Sequence, residues 1–150
     1  MLKLLIDTRE KDSLREQFRQ GVFDEIEDRG LPFGDYWAEY EGCELPLAFE
    51  RKSIGDLFGT FADSERRERE KIKLEKAAVN QFEYLMLIEG TLETIFKGYE
   101  HSKYSGETML KQLATWRLKY GLNWHCFSNR REMAKFIEIH FDAVRRNWKK

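Results

Sequence analysis

The chain has 150 residues, 41% of them hydrophobic, with two cysteines and a formal net charge of −1. That length and apolar content suit a single compact domain over residues 1–150, with a core large enough to fold unaided. No apolar run approaches a membrane span, Cys43 and Cys126 lack the spacing of a zinc site or a disulfide framework, and no signal pattern follows Met1. An intracellular protein without a membrane partner is therefore expected, cytoplasmic, or nuclear in a eukaryote.

Residues 2–6 form an apolar run that reads as a first strand, residues 13–20 as a helix ended by Gly21, and residues 35–40 with 45–52 as a hairpin. Residues 53–61 suit a short helix, and residues 64–78 a charged, largely exposed one with a thin stripe of Ile72, Leu74 and Val79. Residues 82–88 are continuously apolar, as in a buried strand, and Gly90 closes them. Residues 97–106 read as a loop, in which Tyr99, His101 and Tyr104 belong either to an ordinary connection or to a flap that stacks on unpaired bases. Residues 108–120 predict a helix with Leu110, Leu113, Ala114 and Leu118 on one face, stopped by Gly121. A last strand over 124–127 precedes a helix capped by Asn129 that carries Met133, Phe136, Ile137, His140 and Val144. His140 falls on that apolar stripe and reads as core, and Trp37, Trp116 and Trp124 read as packing residues, whereas the terminal Trp148 suits either packing or stacking on a base. The alternation of strands and helices is that of an α/β layer fold.

Charge concentrates where a strand should give way to a helix, in Phe49-Glu50-Arg51-Lys52-Ser53-Ile54-Gly55-Asp56, preceded by Gly34-Asp35-Tyr36. If residues 41–44 close a two-residue turn, antiparallel pairing brings Asp35 across from Glu50, unless a bulge at Pro46 shifts the register. Alternation then puts Glu50 and Lys52 on one face and Arg51 on the other. Two carboxylates and an ammonium together suit phosphodiester hydrolysis. Carboxylates bind Mg²⁺ or Mn²⁺, and a lysine orients water or offsets charge on the phosphate. The competing reading is a surface hairpin with ordinary charges and a helix cap at Ser53.

The segments G-D-Y and E-R-K-S-I-x-D-L resemble the G-D-x(n)-E-R-K-x(3)-D signature of the XPF-type (xeroderma pigmentosum group F) structure-specific endonucleases, a branch of the PD-(D/E)xK superfamily. Leu4-Leu5-Ile6-Asp7-Thr8-Arg9-Glu10 resembles that family's opening strand, and Arg66-Arg67-Glu68-Arg69-Glu70 its arginine-rich helix. The likeness implies a restriction-endonuclease-like fold, a central mixed β-sheet flanked by α-helices. It implies that Asp35, Glu50 and Asp7 bind metal, that Lys52 is catalytic, and that Asp56 adds a carboxylate. Arg51 would offer its backbone carbonyl to the metal, and Arg9, Arg51 and Arg66 would support the site or contact phosphate. Asp56 has a simpler explanation as a helix cap, and Arg66 as the partner of Glu70. The resemblance further implies a DNA substrate, branched or joining single and double strands, and pairing into a homodimer or heterodimer through the late helices. A Holliday-junction resolvase-like nuclease and a non-catalytic DNA-binding or scaffold paralogue are the alternatives, although inactive copies usually lose acids that this chain keeps. The family's downstream helix-hairpin-helix pair has no room before Lys150.

Charge is uneven along the chain. Residues 103–150 hold 11 Lys and Arg against 4 Asp and Glu, and residues 1–102 hold 15 against 23. An acidic metal site beside a basic flank suits a nuclease, with Lys103, Lys111 and Arg117 as candidate DNA contacts. Lys111, Arg117, Lys119, Arg145 and Arg146 also fit the solvated faces of two amphipathic helices.

Overall fold

The computed structural model describes residues 1–18 and 21–147. Its strands are β1 (Leu2–Asp7), β2 (Glu25–Arg29), β3 (Tyr36–Tyr40), β4 (Cys43–Glu44), β5 (Leu47–Ser53), β6 (Glu83–Glu89) and β7 (Asn123–Phe127). The helices are α1 (Ile54–Ala62), α2 (Ser64–Val79), α3 (Leu92–Lys97), α4 (Gly106–Tyr120) and α5 (Arg130–Asn147). One mixed sheet runs in the order β2-β1-β3-β5-β6-β7, with β4 paired to β3. β3 is antiparallel to β1 and β5, whereas β2 follows β1, and β6 and β7 follow β5, in parallel. The beginning of β3 therefore meets the ends of β1 and β5 at one edge of the sheet.

Each face of the sheet buries its own apolar layer. Ala48, Trp37, Met86 and Ile88 pack with Leu57, Phe58, Phe61, Leu113 and Trp116 from α1 and α4. Leu47, Phe49, Tyr36, Leu4 and Ile6 pack with Met133, Ile137 and Phe141 from α5. Because successive side chains on a strand alternate, β5 sends Ala48 toward α1 and α2 and Phe49 toward α5. Burial of these large side chains from water supplies most of the stabilisation.

Several elements differ from their sequence reading. The helix expected over 13–20 is a single 3₁₀ turn, Arg15–Gln17, and Gln20 lies outside the described residues, as does Trp148. The Leu14 N–H donates to the Tyr36 hydroxyl (2.9 Å), a buried bond that anchors this segment to the sheet. Strand β2 was not expected, because Glu25-Ile26-Glu27-Asp28-Arg29 is almost wholly charged. Its place is secured by β1 and by ion pairs of Lys3 with Glu27 (3.2 Å) and of Arg29 with Glu39 (3.0 Å). Helix α3 was also unforeseen within what read as a strand-to-loop passage. On α4 the buried positions are Met109, Leu113 and Trp116, whereas Leu118 is 88% exposed and Ala114 also faces solvent, so the inner face is rotated from the expected one. No described helix is long and apolar enough to cross a membrane.

The hairpin turn lies one residue earlier than the expected one. Glu41 (φ 50°) and Gly42 (φ 78°) both take positive φ, as a type I′ turn demands, so Tyr40 faces Cys43. Two further residues are then absorbed at Leu45-Pro46, where Leu47 N–H donates back to the Leu45 carbonyl (2.8 Å). Pro46, which has no N–H, instead accepts from Glu83 N–H through its carbonyl (3.0 Å). The turn and the bulge compensate, and Tyr36 ends opposite Phe49, the register that carries Asp35 to Glu50.

Candidate active site

Past Tyr36 the β3–β5 ladder gives way to side-chain bonding. Asp35 N–H donates to the Phe49 carbonyl (2.7 Å), and Asp35 Oδ2 accepts the Arg51 N–H (2.8 Å). Asp35 thus brackets Glu50 from the neighbouring strand, as its spacing implied. Its carboxyl is pushed well above the usual carboxylate range by burial, then by the negative charges of Glu50 and Glu10. Asp35 retains some accessible surface and lines a cleft of about 380 Å³ together with Asp7, Arg9, Arg69, Lys73 and Lys76.

Glu50 and Lys52 share the face toward α1 and α2. Helix α2, N-capped by Asp63, turns Arg66, Glu70, Lys73 and Ala77 toward the sheet at alternating spacings of four and three. Lys73 Nζ donates to Glu50 Oε1 (2.9 Å). Lys52 Nζ donates to Thr60 Oγ1 (3.2 Å) and lies 3.1 Å from Glu70 Oε1. Glu70, only 1% exposed, also accepts from the Tyr84 hydroxyl (3.1 Å). Glu70, Lys73, Thr60 and Tyr84 were missed as site residues. The signal was present in α2, whose one buried apolar residue, Ala77, shares a face with Glu70 and Lys73.

Opposing influences set the charges. Burial raises the Glu50 carboxyl, but Lys52, a hydrogen bond shared with Glu70, and Lys73 outweigh it and hold it at about 2. Glu70 is pushed from 4.5 to about 8 by burial and by Glu50 beside it. Burial lowers Lys52, yet Glu50 and Glu70 more than reverse this and hold it above its ordinary value. In the metal-free protein Glu70 therefore keeps a proton at neutral pH, while Glu50 is a carboxylate and Lys52 an ammonium.

A consequence for stability follows from linkage. Glu70 binds its proton more tightly in the folded chain than in the unfolded one, so its contribution is complete below the ordinary carboxylate pKa and is lost as pH rises through about 8. Glu70→Gln, which keeps the shape without the titration, is expected to flatten the decline in metal-free melting temperature between about pH 5 and 8. Parallel pH profiles for the two proteins would refute this.

The remaining candidate residues separate in space. Asp7 lines the cleft, but Oδ2 accepts from Arg9 Nε (3.0 Å) and Oδ1 from Leu31 N–H (2.9 Å), so both oxygens have protein donors. Arg51 points to the opposite face, as alternation required, where its guanidinium binds Glu10 (3.0 and 3.2 Å), Glu89 (3.1 Å) and the Lys11 carbonyl (2.9 Å). Its side chain serves this internal network instead of reaching phosphate. Asp56 is exposed in the first turn of α1, whose cap is Ser53 Oγ accepting Asp56 N–H (3.1 Å). Arg66 does not pair with Glu70. It packs over Gly59 and reaches Thr60 Oγ1 (3.5 Å). Lys103 and Lys111 are exposed, Lys111 beside Glu107 (3.8 Å), whereas Arg117 stacks over Trp124 and donates to its carbonyl (2.8 Å). Tyr99 packs near Phe58 and Tyr104 meets Arg67 and Gln112, so the loop's tyrosines are anchored while His101 is exposed. His140 is half-buried against Phe49 and Phe136, in keeping with a packing role.

Among the described residues, no three His, Cys, Asp or Glu side chains converge as a metal cluster. Asp35 and Glu50 nonetheless fit a divalent ion. Glu50 is a buried acid on β5, and Asp35 beside it is pushed up by burial and then by the negative charges of Glu50 and Glu10, which a cation would offset. Two protein carboxylates suit Mg²⁺, which keeps several waters and binds substrate phosphate as well.

A mixed sheet enclosed by helices, with paired acids where β3 and β5 meet, places the chain in the restriction-endonuclease-like α/β class. Residues 6–139 match the ERCC4 domain, and the chain belongs to that family. Among solved structures it is similar to XPF from Aeropyrum pernix, with a TM-score of 0.69 and 18% identity over 96% of this chain and 63% of that one. It is also similar to XPF from Aeropyrum pernix in complex with DNA, with a TM-score of 0.67 and 17% identity over 97% of this chain and 64% of that one. The chain thus spans less than two thirds of the length of these proteins, and at such identities the likeness concerns the fold. Comparison with curated proteins finds no match.

Proposed function

We propose that this domain is a Mg²⁺- or Mn²⁺-dependent endonuclease that hydrolyses DNA phosphodiester bonds where single and double strands join. The observation that carries this reading is the pairing of Asp35 with Glu50, bracketed by the Arg51 N–H bond to Asp35, beside a cleft lined by Arg9, Arg69, Lys73 and Lys76. Asp35 and Glu50 would hold the ion, which when bound supplies an activated water and offsets charge on the phosphate. Lys52, fixed by Thr60 and Glu70 and kept as an ammonium, presents positive charge on the same face and stabilises the developing phosphate charge without acting as a base. Asp7 and the Leu31 carbonyl (2.8 Å) hold Arg9 at the cleft, where the guanidinium, 74% exposed, would present its remaining N–H groups to a phosphate. The two free cysteines accord with a reducing compartment, cytoplasm or nucleus.

The test is cleavage of matched flap, fork, four-way and linear DNA in Mg²⁺, Mn²⁺ or EDTA. Nicking near the junction of flap or fork, dependent on the ion, is expected. Equal cutting of linear duplex would overturn the junction preference, and cutting confined to four-way DNA would make the protein resolvase-like. Binding without cleavage in either ion would favour the non-catalytic reading.

A further inference from the structure

Helix α2 carries a second constellation, to which the proposed chemistry assigns no individual role. Arg69, Lys73 and Lys76 stand at i, i+4 and i+7, the spacing of one helical ridge, and all three line the cleft that holds Asp35. Arg69 and Lys76 are exposed and show no ion pair among the described residues. Lys73 differs: its ammonium turns inward to Glu50 Oε1 at 2.9 Å, while 40% of its side chain stays accessible.

A buried carboxylate remains ionised only with a compensating cation. Lys73 supplies that charge at the oxygen pair proposed to bind metal, and an ammonium in hydrogen-bond contact repels an arriving dication strongly. The lysine stem is long and flexible, and its accessible portion already borders the cleft, so rotation about its side-chain bonds can carry the ammonium outward. Resting on the reading of this site as a metal-dependent DNA endonuclease, we infer that Lys73 is an exchangeable placeholder: it holds Glu50 in the free protein, yields it to the metal, and joins Arg69 and Lys76 as a contact to the DNA backbone. Metal binding and DNA binding are then coupled through one side chain, each strengthening the other.

The test separates the two halves of the exchange. Calorimetric titration of DNA-free protein with Mn²⁺ is expected to show about tenfold tighter binding in Lys73→Met and Lys73→Gln than in the wild type. Anisotropy with a forked oligonucleotide is expected to show that Lys73→Met weakens DNA binding in non-cleaving Ca²⁺ and leaves it unchanged in EDTA. Arg69→Ala and Lys76→Ala should weaken it in both, because their side chains already face the cleft. Circular dichroism identifies any variant that fails to fold, and the glutamine variant, which keeps a donor for Glu50, then stands in for the methionine one. Mn²⁺ affinity equal to the wild type in the Lys73 variants, or the same loss of DNA affinity in EDTA and Ca²⁺, would overturn the placeholder role while leaving the metal site intact. Absence of Mn²⁺ binding in the wild type and all variants would instead remove the metal reading, and this inference with it.

Discussion

Asp35→Asn and Glu50→Gln each reduce Mg²⁺-dependent cleavage by about 10²-fold or more, expressed in kcat, because each removes a charge aimed at the reacting phosphate. Folding survives both changes. Asparagine at 35 can still accept the Arg51 N–H through its side-chain oxygen, and it relieves a carboxyl that burial and Glu50 push upward. Glutamine at 50 keeps the volume of the buried side chain, and Lys73, already partly accessible, can turn to solvent. Cleavage assays paired with thermal melts check the prediction. Mg²⁺-dependent activity retained in either folded variant would remove Asp35 and Glu50 from the proposed metal site.

Arg51→Met is expected to act on stability, at a cost of about 3–5 kcal/mol, because it strands buried acids that the guanidinium compensates. Arg51 and Glu10 are 9% and 8% exposed, and Glu10 would be left with the Tyr36 hydroxyl (3.0 Å) as its remaining side-chain donor among the described residues. The same guanidinium reaches Glu89, which Arg130 binds in turn (3.1 Å), so one change loosens the joint between the residues following β1, the end of β6 and the start of α5. Arg51→Lys should not restore stability, since an ammonium cannot reproduce the fork that meets both oxygens of Glu10. Urea unfolding measures the effect. A loss below about 1 kcal/mol, the worth of an exposed ion pair, would show that the network adds little. Because Arg51 lies between Glu50 and Lys52, cleavage should fall as well, through displaced side chains instead of lost chemistry.

The expected pairing of Asp35 with Glu50 rested on a turn placed one residue too late. It survived because the Leu45-Pro46 bulge absorbs two residues and restores the register. Strand β5 was legible because alternation of Leu47, Phe49 and Arg51 against Ala48, Glu50 and Lys52 is a local property of extended backbone. Strand β2 was not, since its hydrogen bonds and ion pairs come from β1 and β3, and five mostly charged residues carry no apolar period of their own. The 3₁₀ turn in place of a helix at 15–17 has the same origin, a bond from Leu14 to a tyrosine 22 positions away.

By itself the sequence determined the α/β class, the strand that carries Glu50 and Lys52, the face they share and the opposite direction of Arg51. Periodicity and chirality act over a few residues and need no distant partner. Tertiary structure alone decided which charges around that strand matter. Packing of α2 over the sheet buried Glu70 beside Lys52 and set Lys73 on Glu50, whereas Asp56 on α1 stays in solvent. The energy of a charge depends on the dielectric around it and on its nearest opposite charge. Both are fixed only when helices settle on the sheet.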